Sequence, residues 1–326
     1  MSNKVSIIIP CFNIESHISK CVDTILQQTY QDFELLLIDD GSADNTLEVC
    51  REYEEKDSRI KVHTHSNKGV SYTRNRGIEL AQNELLVFID GDDFIKEGYI
   101  ERLVKGYEEG SWTICGMINV RAGVEKENEN FYRLLNQFPE RVINKEEFLY
   151  LLKFYSYSSP CARIYSKSII AENKIVFPED VSYQEDLLFN LEYSKYIERV
   201  YLLDYFGYYY MEHSVSSTGR YHHNFDHIDL LYFQLKEIIK SGDKEEIILK
   251  RFIFDTILKK LSNDFHADSV LSDKQKLQKI SILIQTSSYQ YIQDYIWKSP
   301  INFIYKIVLF SNNKRLIFNY LKLVII

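Results

Sequence analysis

The chain has no excess of positive charge: 39 lysines and arginines face 47 acidic residues, a formal net charge of -8 over 326 residues. A general nucleic-acid binder gathers many phosphate-neutralising Lys and Arg on one face, so that class is set aside and no nucleic-acid partner is expected. Paired cysteines are missing too. Cys11, Cys21, Cys50, Cys115 and Cys161 are scattered without a CxxC pair, and an odd count outside any disulfide-like framework points to reduced thiols in a cytoplasm. Long apolar runs are absent; the run Val5 to Ile9 is far too short for a secretory signal or a bilayer span and stops at Pro10, which makes it a first strand. No glycine-rich phosphate loop follows that strand, which counts against a dinucleotide-binding dehydrogenase. His63-x-His65 and His222-His223 have no Cys or carboxylate at zinc-like spacing, so a structural zinc is not expected. Internal repeats and low complexity are also absent, and the polar stretch Arg121 to Asn130 reads as an exposed loop.

What is present is ordinary globular material, 45% hydrophobic and 26% charged, enough for one large or two modest domains. Through roughly the first ninety residues, short β-branched runs alternate with amphipathic stretches, the pattern of a parallel sheet covered by helices. The pattern predicts strand 5–9 then helix 17–28, strand 33–38 then helix 46–56, strand 60–65 then helix 70–81, and a strand 84–89 that ends at Asp90-Gly91-Asp92-Asp93. Right-handed crossovers bring these strand ends to one edge, where open α/β sheets bind ligands. Three carboxylates within four residues repel one another, so a fold that gathers them there expects a cation, whereas a solvated Asp-rich turn is the bland alternative. Leu36-Leu37-Ile38-Asp39-Asp40-Gly41-Ser42 has the same design, an apolar strand running out into carboxylates and glycine, which places Asp40 and Asp92 in one crevice.

Five ordered motifs then resemble the inverting family 2 glycosyltransferases: Val5-Ser6-Ile7-Ile8-Ile9-Pro10-Cys11-Phe12-Asn13, Gln28-Thr29-Tyr30 with Phe33-Glu34-Leu35, Asp39-Asp40-Gly41-Ser42 with Asp44 and Thr46, Gly69-Val70-Ser71 with Arg74-Asn75 and Gly77, and Asp90-Gly91-Asp92-Asp93. The resemblance spans about residues 4 to 220 and implies the GT-A nucleotide-sugar fold, an α/β architecture with a mostly parallel sheet. It places Pro10, Phe12, Asn13, Asp40, Arg74, Asp90 and Gly91 at the nucleotide-sugar donor. Phe12 offers a ring for stacking a base, and Asp40 can accept the imide N–H of uracil, which favours a uridine nucleotide. Asp44 reads as a helix cap; Arg74 contacts the diphosphate or holds the carboxylates of the acidic cluster, and Asn75 and Gly77 serve packing. Asp92 is the expected ligand of Mn²⁺ or Mg²⁺, with Asp90 touching either the ribose or the metal.

Farther along, Gln184-Glu185-Asp186-Leu187-Leu188 resembles the family's ED motif, which maps the catalytic base onto Asp186 and an acceptor contact onto Glu185. Both acids could equally be first-turn residues of a helix 186–196. The preceding run Ser159-Pro160-Cys161-Ala162-Arg163-Ile164-Tyr165 matches the polysaccharide-type members, except that Cys161 and Arg163 stand where Trp and Lys are usual. Tyr208 to Ser217 resembles the strand and loop that close over donor phosphates, with His213 as a metal or phosphate contact.

The implied organisation is a GT-A domain over 1–221, with a nucleotide-binding half 1–93 and an acceptor half 94–221, followed by a helical region 222–326. After Asp294 that region carries Lys298, Lys306, Lys314, Arg315 and Lys322 without an acid, among apolar residues. This suits a helix lying in an anionic headgroup layer, a packing helix or a homo-oligomer contact. The expectation is a metal-dependent transferase that moves a hexose or N-acetylhexosamine from a UDP-sugar to a glycan or lipid-linked oligosaccharide acceptor in bacterial surface polysaccharide assembly. It would be cytoplasmic, or peripheral on the inner face of the membrane. The alternatives are a non-catalytic nucleotide-sugar-binding or membrane-docking protein, and a sugar-nucleotide nucleotidyltransferase.

Overall fold

The computed structural model describes residues 4–148, 150–151, 158–181, 183–212, 227–238, 243–266, 269–299 and 303–324. They divide into two compact units, Met1–Glu179 with Gln184–Ser214, and Asp180–Tyr183 with Val215–Ile326.

In the first unit, β1 (Val5–Cys11), β2 (Phe33–Asp39), β3 (Ile60–Thr64) and β4 (Leu85–Phe88) alternate with α1 (Ile18–Leu26), α2 (Thr46–Lys56) and α3 (Val70–Leu80). The remaining strands are β5 (Phe94–Ile95), β6 (Ser111–Arg121), β7 (Val124–Glu127), β8 (Val142–Asn144), β9 (Arg163–Ser166) and β10 (Arg199–Met211). The sheet runs β3-β2-β1-β4-β9-β6-β10-β5, with β7 on β6 and β8 on β10. Its first four strands are parallel, β9 lies antiparallel to both β4 and β6, and β6 and β10 are again parallel. Strands covered on both faces need continuous apolar sequence, and β1 supplies it: Ile7, Ile8 and Ile9 are wholly buried, each contributing about 1.5–3 kcal/mol. Helix α3 lies close on β1 because Gly77 leaves room; a Cβ there would sit 2.3 Å from Ile8 Cγ2.

The polar stretch 121–130 departs from the expected loop. Strand β6 turns through Ala122 and Gly123, both at positive φ (49° and 80°), and returns as the exposed β7 in register Arg121 to Val124. Two consecutive left-handed residues make the twist-matched hairpin turn, so a run without apolar alternation still pairs along an edge. Helices α4 (Tyr99–Gly106), α5 (Glu129–Gln137), α6 (Lys167–Glu172) and α7 (Glu185–Ser194) complete this unit.

The second unit is helical: α8 (Ile228–Ile238), α9 (Asp243–Asp264), α10 (Asp273–Leu283), α11 (Ser287–Tyr291), α12 (Gln293–Lys298), α13 (Phe303–Phe310) and α14 (Lys314–Val324). Its core contains Leu231, Ile253, Ile257, Ile296, Leu309 and Leu321, together with a buried Lys260–Asp264 ion pair at 3.4 Å. Among the described residues no helix is long and apolar enough to cross a membrane.

Candidate active site

Strand order reverses at β1, which has β2 on one side and β4 on the other, so the carboxyl ends of these three strands open onto one crevice. At the end of β1, Phe12 is 47% exposed, far from the core position a strand-end aromatic could have taken. Asn13 follows in the left-handed region (φ 53°), where its side chain accepts from Ala43 N–H (2.8 Å) and its N–H donates to Ser42 Oγ (3.0 Å). Pro10 is half-buried, at the register position opposite Ile38.

The turn after β2 is a closed hydrogen-bonded unit. Asp39 accepts from Gly41 N–H, Ser42 N–H and the Thr64 hydroxyl. Asp40, also buried, accepts from Lys68 N–H (2.7 Å) and Gly69 N–H (2.9 Å), with His65 Nδ1 3.3 Å away. Asp40 therefore holds the loop that enters α3, at the mouth of the crevice. Asp44 accepts from Thr46 N–H (3.0 Å) from just outside α2, while Asn45 occupies the cap position itself.

The turn after β4 divides its carboxylates. Asp93 is 2% exposed and both its oxygens are taken, Oδ2 by the Tyr208 hydroxyl (2.6 Å) and Oδ1 by Met211 N–H (2.7 Å). Burial and the charges of Asp90 and Asp92 push its carboxyl up, opposed by those two hydrogen bonds. Asp93 is thereby turned into the fold rather than toward the crevice. The Asp90 side chain is 32% exposed and engages Arg74 Nη2 through Oδ1 (2.8 Å). Asp92 beside it is half-buried. Gly91 sits in a close-packed spot: a Cβ would lie 2.3 Å from Ile14 Cδ1 and 3.3 Å from the Pro10 carbonyl.

Arg74, on α3 and 4% exposed, links this turn to the distant ED pair. Its Nη1 donates to Asp186 Oδ1 (2.6 Å) while Nη2 holds Asp90, and its guanidinium lies 5.4 Å from the Phe177 ring centroid. The neighbouring Asn75 fixes that ring's backbone, donating to the Phe177 carbonyl and accepting its N–H, both at 2.8 Å. Two carboxylates on one buried guanidinium raise the arginine's pKa further, so it stays charged at all working pH. Asp186 and Glu185 do occupy the first turn of α7. The helix is entered through Gln184 in the left-handed region (φ 64°), a strained conformation for a residue with a side chain. The Asp186 side chain is 19% exposed; burial dominates and pushes its carboxyl up to about 8, against the pull of Arg74.

Asp90, Arg74 and Asp186 are thus in direct contact, with Glu185 adjacent, while Phe12, Asn13 and Asp40 lie at the neighbouring strand ends. His213 lies outside the described residues. Phe177 and Tyr208 fall within motifs that the sequence marks, but their contacts with Arg74 and with the 90–93 turn join segments far apart in the chain and carry no local signal.

A divalent cation is tested by the donor set. Asp90 and Asp92 offer hard carboxylate oxygens at a strand end, which fit Mn²⁺ or Mg²⁺. Among the described residues no three His, Cys, Asp or Glu gather as a cage, so other ligands would have to come from diphosphate and water.

An exposed aromatic ring, a buried carboxylate and a half-open acidic turn meet at the switch point of an α/β sheet of the GT-A type, the place where open α/β sheets take their ligands. The chain belongs to glycosyl transferase family 2, whose model matches residues 6–173. It is 33% identical over 222 residues to EpsJ, an uncharacterized glycosyltransferase of Bacillus subtilis, covering 66% of this chain and 62% of EpsJ. Over 195 residues it is 32% identical to TarP, a poly(ribitol-phosphate) beta-N-acetylglucosaminyltransferase of Staphylococcus aureus, covering 58% of this chain and 57% of TarP. These alignments span less than two thirds of either relative. Among solved structures, S. aureus TarS 1–349 in complex with UDP superposes with a TM-score of 0.71 at 20% identity, covering 98% of this chain and 90% of that one. The same fragment in complex with UDP-GlcNAc gives 0.70. At that identity the likeness shows the fold.

Proposed function

We propose that the chain is an inverting glycosyltransferase that moves a hexose or N-acetylhexosamine from a UDP-sugar to a hydroxyl of a glycan or lipid-linked acceptor in bacterial surface polysaccharide assembly. The observation that carries this reading is the single guanidinium of Arg74 joining Asp186 to Asp90. It couples a buried carboxyl that can serve in acid–base chemistry to the acidic turn, the arrangement a transfer reaction needs. Phe12 stacks the base and Asp40 receives the uracil imide or holds the loop beside it. The UDP and UDP-GlcNAc complexes of TarS and the name of TarP support a UDP-sugar donor.

Asp186 takes the proton of the acceptor hydroxyl as its oxygen bonds to the anomeric carbon from the face opposite UDP; the bond from that carbon to the β-phosphate oxygen breaks, and UDP leaves. A carboxyl raised to about 8 is well matched to this proton transfer near neutral pH. Arg74 orients Asp186 and spreads positive charge toward the leaving diphosphate. Glu185 binds the acceptor. Asp90 and Asp92 would hold Mn²⁺ or Mg²⁺, which when bound supplies positive charge to the departing phosphate oxygens. His213 would complete that shell or touch a phosphate.

UDP release from a panel of UDP-sugars, with Mn²⁺ and with chelator, tests the reading. Asp186→Asn should lower kcat about 10³-fold while UDP binding stays within a few-fold, and Asp92→Ala should lose the response to metal. Turnover unaffected by chelator, or an unimpaired Asp186→Asn enzyme, defeats it. Region 298–326 is proposed to rest on an anionic membrane surface: Trp297 and Phe310 are exposed 5.3 Å apart, Lys306 Nζ donates to the Trp297 carbonyl, and Lys314 and Arg315 are exposed. Because Leu309 and Leu321 belong to the core, the test is the exposed charge: Lys314→Glu with Arg315→Glu should reduce sedimentation with anionic liposomes.

A further inference from the structure

We propose that Tyr208 and Asp93 are positioning residues for the transfer: together they tie the backbone of the 90–93 turn to β10 and so set how Asp90 and Asp92 meet the donor diphosphate. The hydroxyl of Tyr208 stands at the centre of this clasp. It accepts from Asp90 N–H (3.1 Å) and donates to Asp93 Oδ2 (2.6 Å), while Met211 N–H closes on Asp93 Oδ1 (2.7 Å). The turn is closed from within by Asp93 N–H donating to the Asp90 carbonyl (3.0 Å). Its far end is anchored as β5, which pairs with β10 at Tyr208 and Tyr209 and stacks Phe94 on Tyr209 with centroids 4.5 Å apart.

The tyrosine ring is wholly buried. Packing alone would be met by phenylalanine, and a buried hydroxyl is unfavourable unless it is bonded, so the two bonds explain why the position carries oxygen. The mechanical need is equally plain. Three adjacent carboxylates repel, and a turn free to relieve that repulsion would spread Asp90 and Asp92 apart before a cation arrived. Sinking Asp93 beneath the turn and bonding both its oxygens removes that freedom. Groups that orient ligand-bearing residues in this way typically change metal affinity by about 10- to 100-fold when lost.

The clasp rests on the metal-assisted reading above, and its test separates the two. UDP affinity is measured by calorimetry on the full chain with and without Mn²⁺, for wild type, Tyr208→Phe, Asp93→Asn and the control Tyr193→Phe. The control removes another buried hydroxyl, one that accepts from Ser166 N–H (2.9 Å), away from the turn. Tyr208→Phe should cut the Mn²⁺-linked gain in UDP affinity about tenfold while leaving metal-free UDP affinity and the control unchanged. Asp93→Asn, which keeps one acceptor oxygen, should fall between. In parallel, amide exchange at Asp90 should accelerate in Tyr208→Phe, whereas Ile89, whose N–H donates to the Ile8 carbonyl (3.1 Å), stays protected. An undiminished Mn²⁺-linked gain with an unchanged Asp90 amide overturns the clasp, as does an equal loss with and without metal. If wild type shows no Mn²⁺-linked gain, the metal reading fails and the Asp90 amide alone decides.

Discussion

The turns after β2 and β4 read almost alike, an apolar strand running into aspartates and a glycine, yet they do opposite things. After β2 both aspartates are buried and bonded to backbone N–H groups or a hydroxyl, so the turn is a fixed wall of the crevice. After β4 Asp93 is treated that way, whereas Asp90 stays partly open and shares Arg74 with Asp186. The glycines differ as well. Gly41 is at φ +70°, with a Cβ position 2.8 Å from Asn67 N, whereas at Gly91 the severe overlap is with the tip of Ile14. One set of carboxylates is bonded to backbone and fixes the turn, and the other is joined across the crevice by a single arginine.

The sharpest way to break this contrast is at Arg74. Arg74→Gln should lower kcat/KM about 10²-fold or more by releasing Asp186 from its orientation. It should also move the pH profile in a defined direction. In wild type the carboxyl at about 8 must lose its proton to act as base, so kcat/KM should climb about tenfold per unit below pH 8 and level off above it. Removing the cation that favours the ionised form raises that midpoint further, so the variant's rise should come at higher pH. A pH profile that keeps its midpoint in Arg74→Gln would mean the guanidinium does not act on Asp186. The smaller effect separates the two turns themselves. Gly41→Ala should lower stability by about 1–3 kcal/mol, because both its backbone conformation and backbone neighbours resist a side chain. Gly91→Ala should lower it by about 1 kcal/mol, since the end of Ile14 can shift. Urea unfolding midpoints of the two variants give the order, and the reverse order would contradict the contrast.

Much of the scaffold was legible. The 2-versus-3.6 periodicity located all four leading strands and their helices to within about one turn, because strands buried on both faces must be apolar throughout. The acidic turns followed from that placement, and the motif order pointed to Asp186. The 121–130 hairpin was not legible, since an exposed edge strand carries no apolar alternation and its turn depends on an alanine adopting positive φ. Nor were the partners of the site: Arg74 meets Asp186 across 112 positions and Tyr208 meets Asp93 across 115.

Sequence by itself determined the family, the strand-ending carboxylates and the chemistry available to them, because those depend on residue type and local spacing. Tertiary structure alone decided which carboxylates are sunk in backbone hydrogen bonds and which share Arg74 at the crevice. Burial, and the single arginine and tyrosine that reach each group, set its charge state and freedom, and these are properties of packing between segments far apart in the chain.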